Sequence, residues 1–425
     1  MHFSSRLALF IYKTLTTLTA PLGAGYLAYK KRKDPPYGRR IFELLGCHSD
    51  SFDSCIWFHG ASVGEINAIK PLVAEFKKQH PNENIVLTTM TTTGLNAAKS
   101  LKGIKVVFSP LDSPLSVIGF LRSFNPKALI IIDTELWPNM LGLTKKHGCK
   151  IAIVNARMQE ENCESYLKHK VLVEDLISGN LSKVMCITES DKNRFIKIGV
   201  PKQNVMVTGN IKYDLKPREY MFNDSKKIKD QLFGNSVFGA ISIHDGEEHT
   251  VIDAYLKAKE TIKDLRLIIV PRHQSSGTLS CEYLEKLGVT YVRKSALKSL
   301  SDFNGDVLVG DTIGEIESYF GLCDLVLMGG SFTNIGGHNP LEPAFFSLPV
   351  LTGPDYHNFT EQFDKLIEHG GAYLAEDCNK LAKYIIKLIS DRELLKKTGI
   401  KALDIQQQGR GALNKTLEQL KKLLY

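Results

Sequence analysis

The sequence predicts two doubly wound α/β domains in one chain. Three observations carry that reading. After residue 40, short apolar runs alternate with helix-period patterns, as in parallel sheets covered on both faces. A polar, lysine-rich stretch over 213–233 interrupts the rhythm, which then resumes. The length, 425 residues, suits two domains of about 100–200 residues each. Hydrophobic residues at 43% and charged residues at 24% are ordinary for a chain that buries cores, which excludes a disordered or collagen-like protein. Long uncharged runs are absent beyond the N-terminus, which excludes a bundle of membrane spans.

The first element is apolar over 7–29, interrupted by Lys13 and four threonines and followed by Lys30-Lys31-Arg32-Lys33. A cleaved signal peptide fits poorly, because the basic block follows the apolar stretch. A membrane span, which needs about 20 apolar residues, is one reading. A helix lying in the membrane interface with its basic flank on anionic lipid is another. The bland alternative is a helix packed on the first domain. The cationic flank places the rest of the chain on the cytoplasmic side. Net charge is +8, and the first forty residues hold eight Lys and Arg against Asp34 alone. The basic character therefore belongs to the N-terminus, and no nucleic-acid-binding face is expected.

Strands follow at 56–59, 85–89, 106–108, 128–132, 151–154 and 184–187, with helices over 66–79 and 115–124 among them. Beyond the interruption they recur at 237–243, 265–270, 307–309, 325–328, 350–351 and 373–374. The expected divisions are an anchor with its basic flank (1–33), an N-terminal domain (34–212), a linker region (213–235) and a C-terminal domain (236–425). Ligands of such sheets bind outside the carboxyl ends of the strands, so two domains facing each other would form a cleft there. None of the eight cysteines forms a C-x-x-C pair, so nearly all read as small buried hydrophobes and no zinc site is expected.

Three strand-to-helix junctions carry acids. In Gly60-Ala61-Ser62-Val63-Gly64-Glu65, Ser62 and Glu65 have capping-box spacing. The same spacing puts an ionised carboxylate beside a helix N-terminus, where glycines admit a substrate. Gly310-Asp311-Thr312-Ile313-Gly314-Glu315 repeats the device and suits a phosphate. In the third, Gly329-Gly330-Ser331 leads to Gly336-Gly337-His338-Asn339-Pro340-Leu341-Glu342. Asn339 is placed to cap and Pro340 to open a helix. The loop also suits a nucleotide, with N–H groups for phosphate and Glu342 for ribose hydroxyls. Neither a Walker A sequence nor a dinucleotide fingerprint occurs. Glu135, Asn155-Ala156-Arg157, Lys212, and Arg272 with His273 also fall at strand ends.

These motifs, with Thr134-Glu135-Leu136-Trp137-Pro138, Gly209-Asn210-Ile211-Lys212-Tyr213-Asp214 and Val270-Pro271-Arg272-His273, stand in one order that closely resembles the bacterial 3-deoxy-D-manno-octulosonic acid (Kdo) transferases. The resemblance runs from the N-terminal anchor to beyond Gly353. It implies a GT-B glycosyltransferase fold, with an acceptor domain first and a nucleotide-sugar domain second. It implies transfer of Kdo from CMP-Kdo to a lipid A precursor at the cytoplasmic face of the cell inner membrane, in lipopolysaccharide biosynthesis. Carried over residue by residue, the proton acceptor is Glu65, and the transition-state stabilisers are Glu135 and Lys212. The CMP contacts are Pro271, Arg272, Ile313, Gly314, Glu315, Asn339, Pro340, Leu341 and Glu342. Ile243, before His244, where relatives often have Thr, and Gln274, where Pro is common, depart from the family pattern on no carried-over residue.

The chemistry agrees with these roles. A sugar hydroxyl is a poor nucleophile until a positioned carboxylate takes its proton. Lys212 offsets charge on the departing phosphate, and Glu135 favours the cationic sugar centre or holds a partner. CMP is already a good leaving group and no Asp-x-Asp triplet occurs, so neither a metal nor another cofactor is expected. A single displacement implies inversion at the anomeric carbon. Two alternatives are another GT-B lipid glycosyltransferase, such as a lipid A disaccharide synthase acting on a UDP-sugar, and a non-catalytic membrane-tethered nucleotide-sugar-binding protein.

Overall fold

The computed structural model describes residues 2–30, 40–214, 228–229, 233–234, 236–312 and 314–425. Lys31, Arg32, Lys33 and Ile313, together with most of the expected linker, lie outside the described residues. Contacts divide the chain into two compact units, Met1–Asp214 with Arg410–Tyr425, and Leu215–Gly409.

The first unit holds seven parallel strands: β1 (Cys55–His59), β2 (Ile85–Thr89), β3 (Lys105–Phe108), β4 (Pro126–Ile132), β5 (Lys150–Ala156), β6 (Lys183–Cys186) and β7 (Val205–Val207). Their order is β3-β2-β1-β4-β5-β6-β7, so the winding reverses between β1 and β4. Side chains alternate across β1: Cys55 and Trp57 join one core, and Ile56 and Phe58 join the other. The helix Val63–Gln79 presents Ile66, Ile69, Leu72, Val73 and Phe76 to the second of these cores at helical spacing.

The second unit holds β8 (Val237–Ile243), β9 (Arg266–Pro271), β10 (Tyr291–Arg293), β11 (Val307–Val309), β12 (Leu325–Met328), β13 (Val350–Thr352) and β14 (Ala372–Leu374), again all parallel. The order β10-β11-β9-β8-β12-β13-β14 reverses between β8 and β12. The strand β10 is absent from the sequence reading. It is a half-buried edge strand whose three residues lack an apolar run.

The expected C-terminal domain ends early. Residues 410–425 belong to the first unit. The helix Ala412–Leu424 lays Leu413, Leu417, Leu420 and Leu423 on the core that also holds the helix Val63–Gln79. The Asp214 carboxylate fixes its start by accepting from the backbone N–H of Gly411 at 2.6 Å and Leu413 at 2.7 Å.

The N-terminal apolar segment is one helix, Phe3–Lys30, docked along the first unit. His2 N–H donates to Asp175 at 2.7 Å, Tyr12 Oη donates to Asp112 at 2.7 Å, and Asn139 Nδ2 donates to Thr16 at 3.1 Å. Leu9 and Leu27 pack on the body. Phe3, Leu7, Ile11, Leu15, Leu18, Leu22, Tyr26 and Tyr29 recur every three or four residues along the opposite face and are exposed.

Candidate active site

In the first unit the informative residues gather where the winding reverses. Glu65 lies in the first turn of the helix that follows β1. Ser62 caps that helix, its Oγ accepting from Glu65 N–H at 3.2 Å. The Glu65 carboxylate does not complete the reciprocal half of a capping box. It reaches one residue further back, accepting from Ala61 N–H at 2.7 Å and from Ser62 Oγ at 2.9 Å. Burial raises its pKa and is the largest effect. The bonds from Ser62 and Ala61 oppose the rise, and the charges of Asp133 and Glu135 add to it. Glu65 and Glu135 therefore share one site, Glu135 reaching it from the end of β4. Trp137 Nε1 donates to Glu135 at 2.6 Å.

Lys212 lies on the turn Ile211–Tyr213, which packs against the helix that carries Glu65. Two left-handed residues hold this arrangement, Asp133 at φ 59° and Asn155 at φ 54°. Asn155 is buried, and its Nδ2 donates to Asp133 at 3.1 Å while its Oδ1 accepts from Ile211 N–H at 3.0 Å. One amide thus joins the ends of β4 and β5 to the turn that carries Lys212. Arg157, from the same motif, is exposed.

In the second unit Arg272 directly follows β9, whose last residue is Pro271. The charge of Arg272 reaches both His338 and Glu342. Glu342 lies in the first turn of the short helix Leu341–Phe345. Burial pushes its carboxyl up to about 7; Glu317 adds to the rise, and Asn339 and Arg272 oppose it. The helix opens one residue later than expected, with Pro340 rather than Asn339 in the cap position, but Asn339 Oδ1 still accepts from Leu341 N–H at 3.2 Å. Three histidines adjoin Arg272. His244 Nε2 lies 2.9 Å from His338 Nε2, and the His244 and His273 rings meet edge to face. Burial lowers His338 to about 4, with Arg272, His244 and His273 adding to the effect.

The box expected at Thr312 and Glu315 is not a helix cap. Gly314 turns left-handed at φ 86°, and the helix begins only at Ile316. The Thr312 hydroxyl instead donates to the Glu315 carboxylate, just ahead of the helix. Gly314 is exposed, and a Cβ there would meet open space. Sequence reasoning marked Asn155 as lying at a strand end but did not find its bridging role, and gave no role to Asp133 or Glu247. The available signal was the same for all three: a polar residue within four positions of a strand's carboxyl end. Among the described residues, no group of three His, Cys, Asp or Glu side chains is placed to hold a metal ion.

A family model described as 3-deoxy-D-manno-octulosonic-acid transferase (kdotransferase) matches residues 36–215. The chain is 30% identical over 424 residues, 98% of each protein, to the 3-deoxy-D-manno-octulosonic acid transferase of Haemophilus influenzae. It is 28% identical over 380 residues, 88% of this chain and 96% of the relative, to the protein of the same name in Aquifex aeolicus. In structure it is similar to the UDP-GlcNAc 2-epimerase of Neisseria meningitidis, with TM-score 0.56 and 17% identity over 87% of this chain and 100% of that one, a likeness in fold alone.

Proposed function

Because the chain belongs to the 3-deoxy-D-manno-octulosonic acid transferase family, and so is a GT-B glycosyltransferase that transfers Kdo in lipopolysaccharide biosynthesis, we propose that Glu65 is the general base of that transfer. CMP-Kdo is the donor and a lipid A precursor the acceptor in this reading. The observation that carries it is the raised, partly buried Glu65 carboxylate at the first unit's switch point, within reach of the Asp133 and Glu135 charges. A carboxylate raised above its ordinary value is a better proton acceptor, and the Ala61 and Ser62 bonds aim it. It removes the proton from the acceptor hydroxyl as that oxygen attacks the anomeric carbon. Lys212 offsets charge on the departing phosphate and Glu135 favours the cationic sugar centre. The leaving group is CMP, so the displacement needs no metal, and a single displacement by the acceptor inverts the anomeric carbon.

In the same reading Pro271, Arg272, Gly314, Glu315, Asn339, Pro340, Leu341 and Glu342 contact CMP, as does Ile313, which lies outside the described residues. The clustering of Arg272 with His338 and Glu342 supports a donor site there. The membrane is met by the exposed stripe of the helix Phe3–Lys30 at the cytoplasmic leaflet of the inner membrane. Contacts from His2 to Leu27 hold that helix to the body along its length, which favours a helix lying in the interface over a span.

Glu65→Gln tests the reading. With purified protein, CMP-Kdo and a lipid A precursor, transfer is expected to fall by about 10²–10⁴-fold while CMP still binds. Turnover within about fivefold of wild type would remove Glu65 from the role.

A further inference from the structure

Glu247 lies between β8 and the helix Glu248–Thr261 and is wholly buried, yet the transfer chemistry does not use it. Its carboxylate accepts four backbone N–H bonds. Oε2 takes those of His244 at 2.8 Å and Gly330 at 2.7 Å. Oε1 takes those of Ser331 and Phe332, both at 2.9 Å. His244 follows β8 and Gly330 follows β12, and these neighbouring strands flank the second unit's switch point. Convergent backbone N–H groups at such a point make an anion-binding concavity. Here the chain's own carboxylate fills it.

The clamped loops in turn support the proposed donor loop. Gly337 N–H donates to the Gly330 carbonyl at 2.8 Å, and His338 touches His244. Gly353 N–H donates to Ser331 Oγ at 2.9 Å. The fit is close: a Cβ on Gly329 would lie 2.4 Å from the Ser242 carbonyl oxygen.

We propose that Glu247 is a positioning residue, an internal anion that holds the loops after β8 and β12 in the shape from which residues 336–342 receive the donor nucleotide. It touches no part of the donor. The proposal rests on the reading that Asn339 and Glu342 contact CMP. Removing the carboxylate leaves four N–H groups without their acceptor, those of Gly330 and Ser331 buried, and a glutamine turns an NH₂ group against two of the four.

The test uses the full chain as Glu247→Ala and Glu247→Gln, with CMP titrated calorimetrically and transfer measured against CMP-Kdo. CMP Kd and donor KM are expected to rise about 10- to 100-fold, with kcat at saturating donor within about threefold of wild type. Sodium formate, against sodium chloride at equal ionic strength, should restore CMP affinity to Glu247→Ala by supplying a small carboxylate to the vacated N–H groups. It should not restore Glu247→Gln, whose side chain still fills the space. A merely structural role lowers the melting temperature without this split between KM and kcat. CMP affinity within about twofold of wild type in both variants, or a loss in Glu247→Ala that formate leaves unchanged, overturns the proposal. Should Glu247→Ala fail to fold, the near-isosteric Glu247→Gln decides it through the same split. Glu342→Ala, run in parallel, separates the two readings. Lost affinity there with wild-type affinity in the Glu247 variants overturns the clamp alone, whereas the reverse pattern removes Glu342 from the donor site.

Discussion

Glu342 is the carboxyl whose environment works most visibly against its charge. Burial raises it to about 7, Glu317 adds to the rise, and the Asn339 and Arg272 contributions do not cancel it. A raised acid binds its proton more tightly folded than unfolded. The stability tied to the neutral form is therefore present below the ordinary carboxylate pKa and is lost as pH rises towards about 7. Glu342→Gln mimics the neutral acid. It is expected to match wild type in melting temperature at about pH 4 and to exceed it at about pH 8, by about 2–4 °C for each kcal/mol relieved. In the same variant CMP affinity should fall, because a ribose-binding carboxylate has been removed. A side chain that only steadies the turn through Asn339 would leave CMP affinity intact. Melting curves at the two pH values with CMP titrations check both halves, and a variant no more stable at the higher pH would refute the linkage.

At the level of elements, strands were legible and the backbone between them was not. The buried strands β2, β8, β11 and β12 coincide with the expected strands end to end, because strands buried on both faces are near-continuously apolar, with only Thr88, Thr89 and Ser242 interrupting them. The edge strand β10 has no such requirement and left no run to read. Capping spacing was right for Ser62 but misleading for Thr312, where left-handed Gly314 delays the helix. Acids at strand ends marked Glu65, Glu135 and Glu342 as candidates, but the Asn155 bridge depends on two left-handed residues that no spacing announces. That bridge makes a prediction. Asn155→Gly keeps the φ 54° backbone available, yet it removes the bonds to Asp133 and Ile211. It should cost about 1–3 kcal/mol and lower kcat by at least about tenfold, because the turn bearing Lys212 loosens. CMP affinity, which belongs to the second unit in this reading, should not change. Asn155→Ala should be less stable than Asn155→Gly by about 1 kcal/mol, since alanine is strained at that φ. Chemical melts and steady-state rates decide it, and wild-type turnover in both variants would show that the bridge does not hold the site.

Across the whole molecule, sequence order and spatial membership part company at both ends of the chain. The last helix follows the second sheet in sequence but joins the first unit, because its leucines complete the core over the Glu65 helix and Asp214 fixes its start. An apolar period shows that a helix has a face to bury, not which core it buries that face in. The first helix poses the converse problem, since its apolar character is legible but its geometry is not. A segment that crosses a bilayer needs about 20 residues clear of the body. This one is tied down at His2, Tyr12, Thr16 and Leu27, and it turns its large apolar side chains outwards. Lying in the interface, it would seat that stripe among the acyl chains and bring the first unit to the surface where a lipid-borne sugar is presented. Leu18→Lys with Leu22→Lys should then release the protein from anionic vesicles. Each leucine forfeits about 1.5–3 kcal/mol of burial, so partitioning should fall at least about 100-fold. The fold and CMP affinity should be untouched, because both side chains are exposed. Raised salt should weaken wild-type binding through the basic flank, at roughly 1 kcal/mol for each screened Lys or Arg. Flotation with vesicles across a salt series measures both effects. A double variant that floats as wild type does, at every salt concentration, would mean that the stripe does not meet the membrane and that attachment lies elsewhere on the first unit.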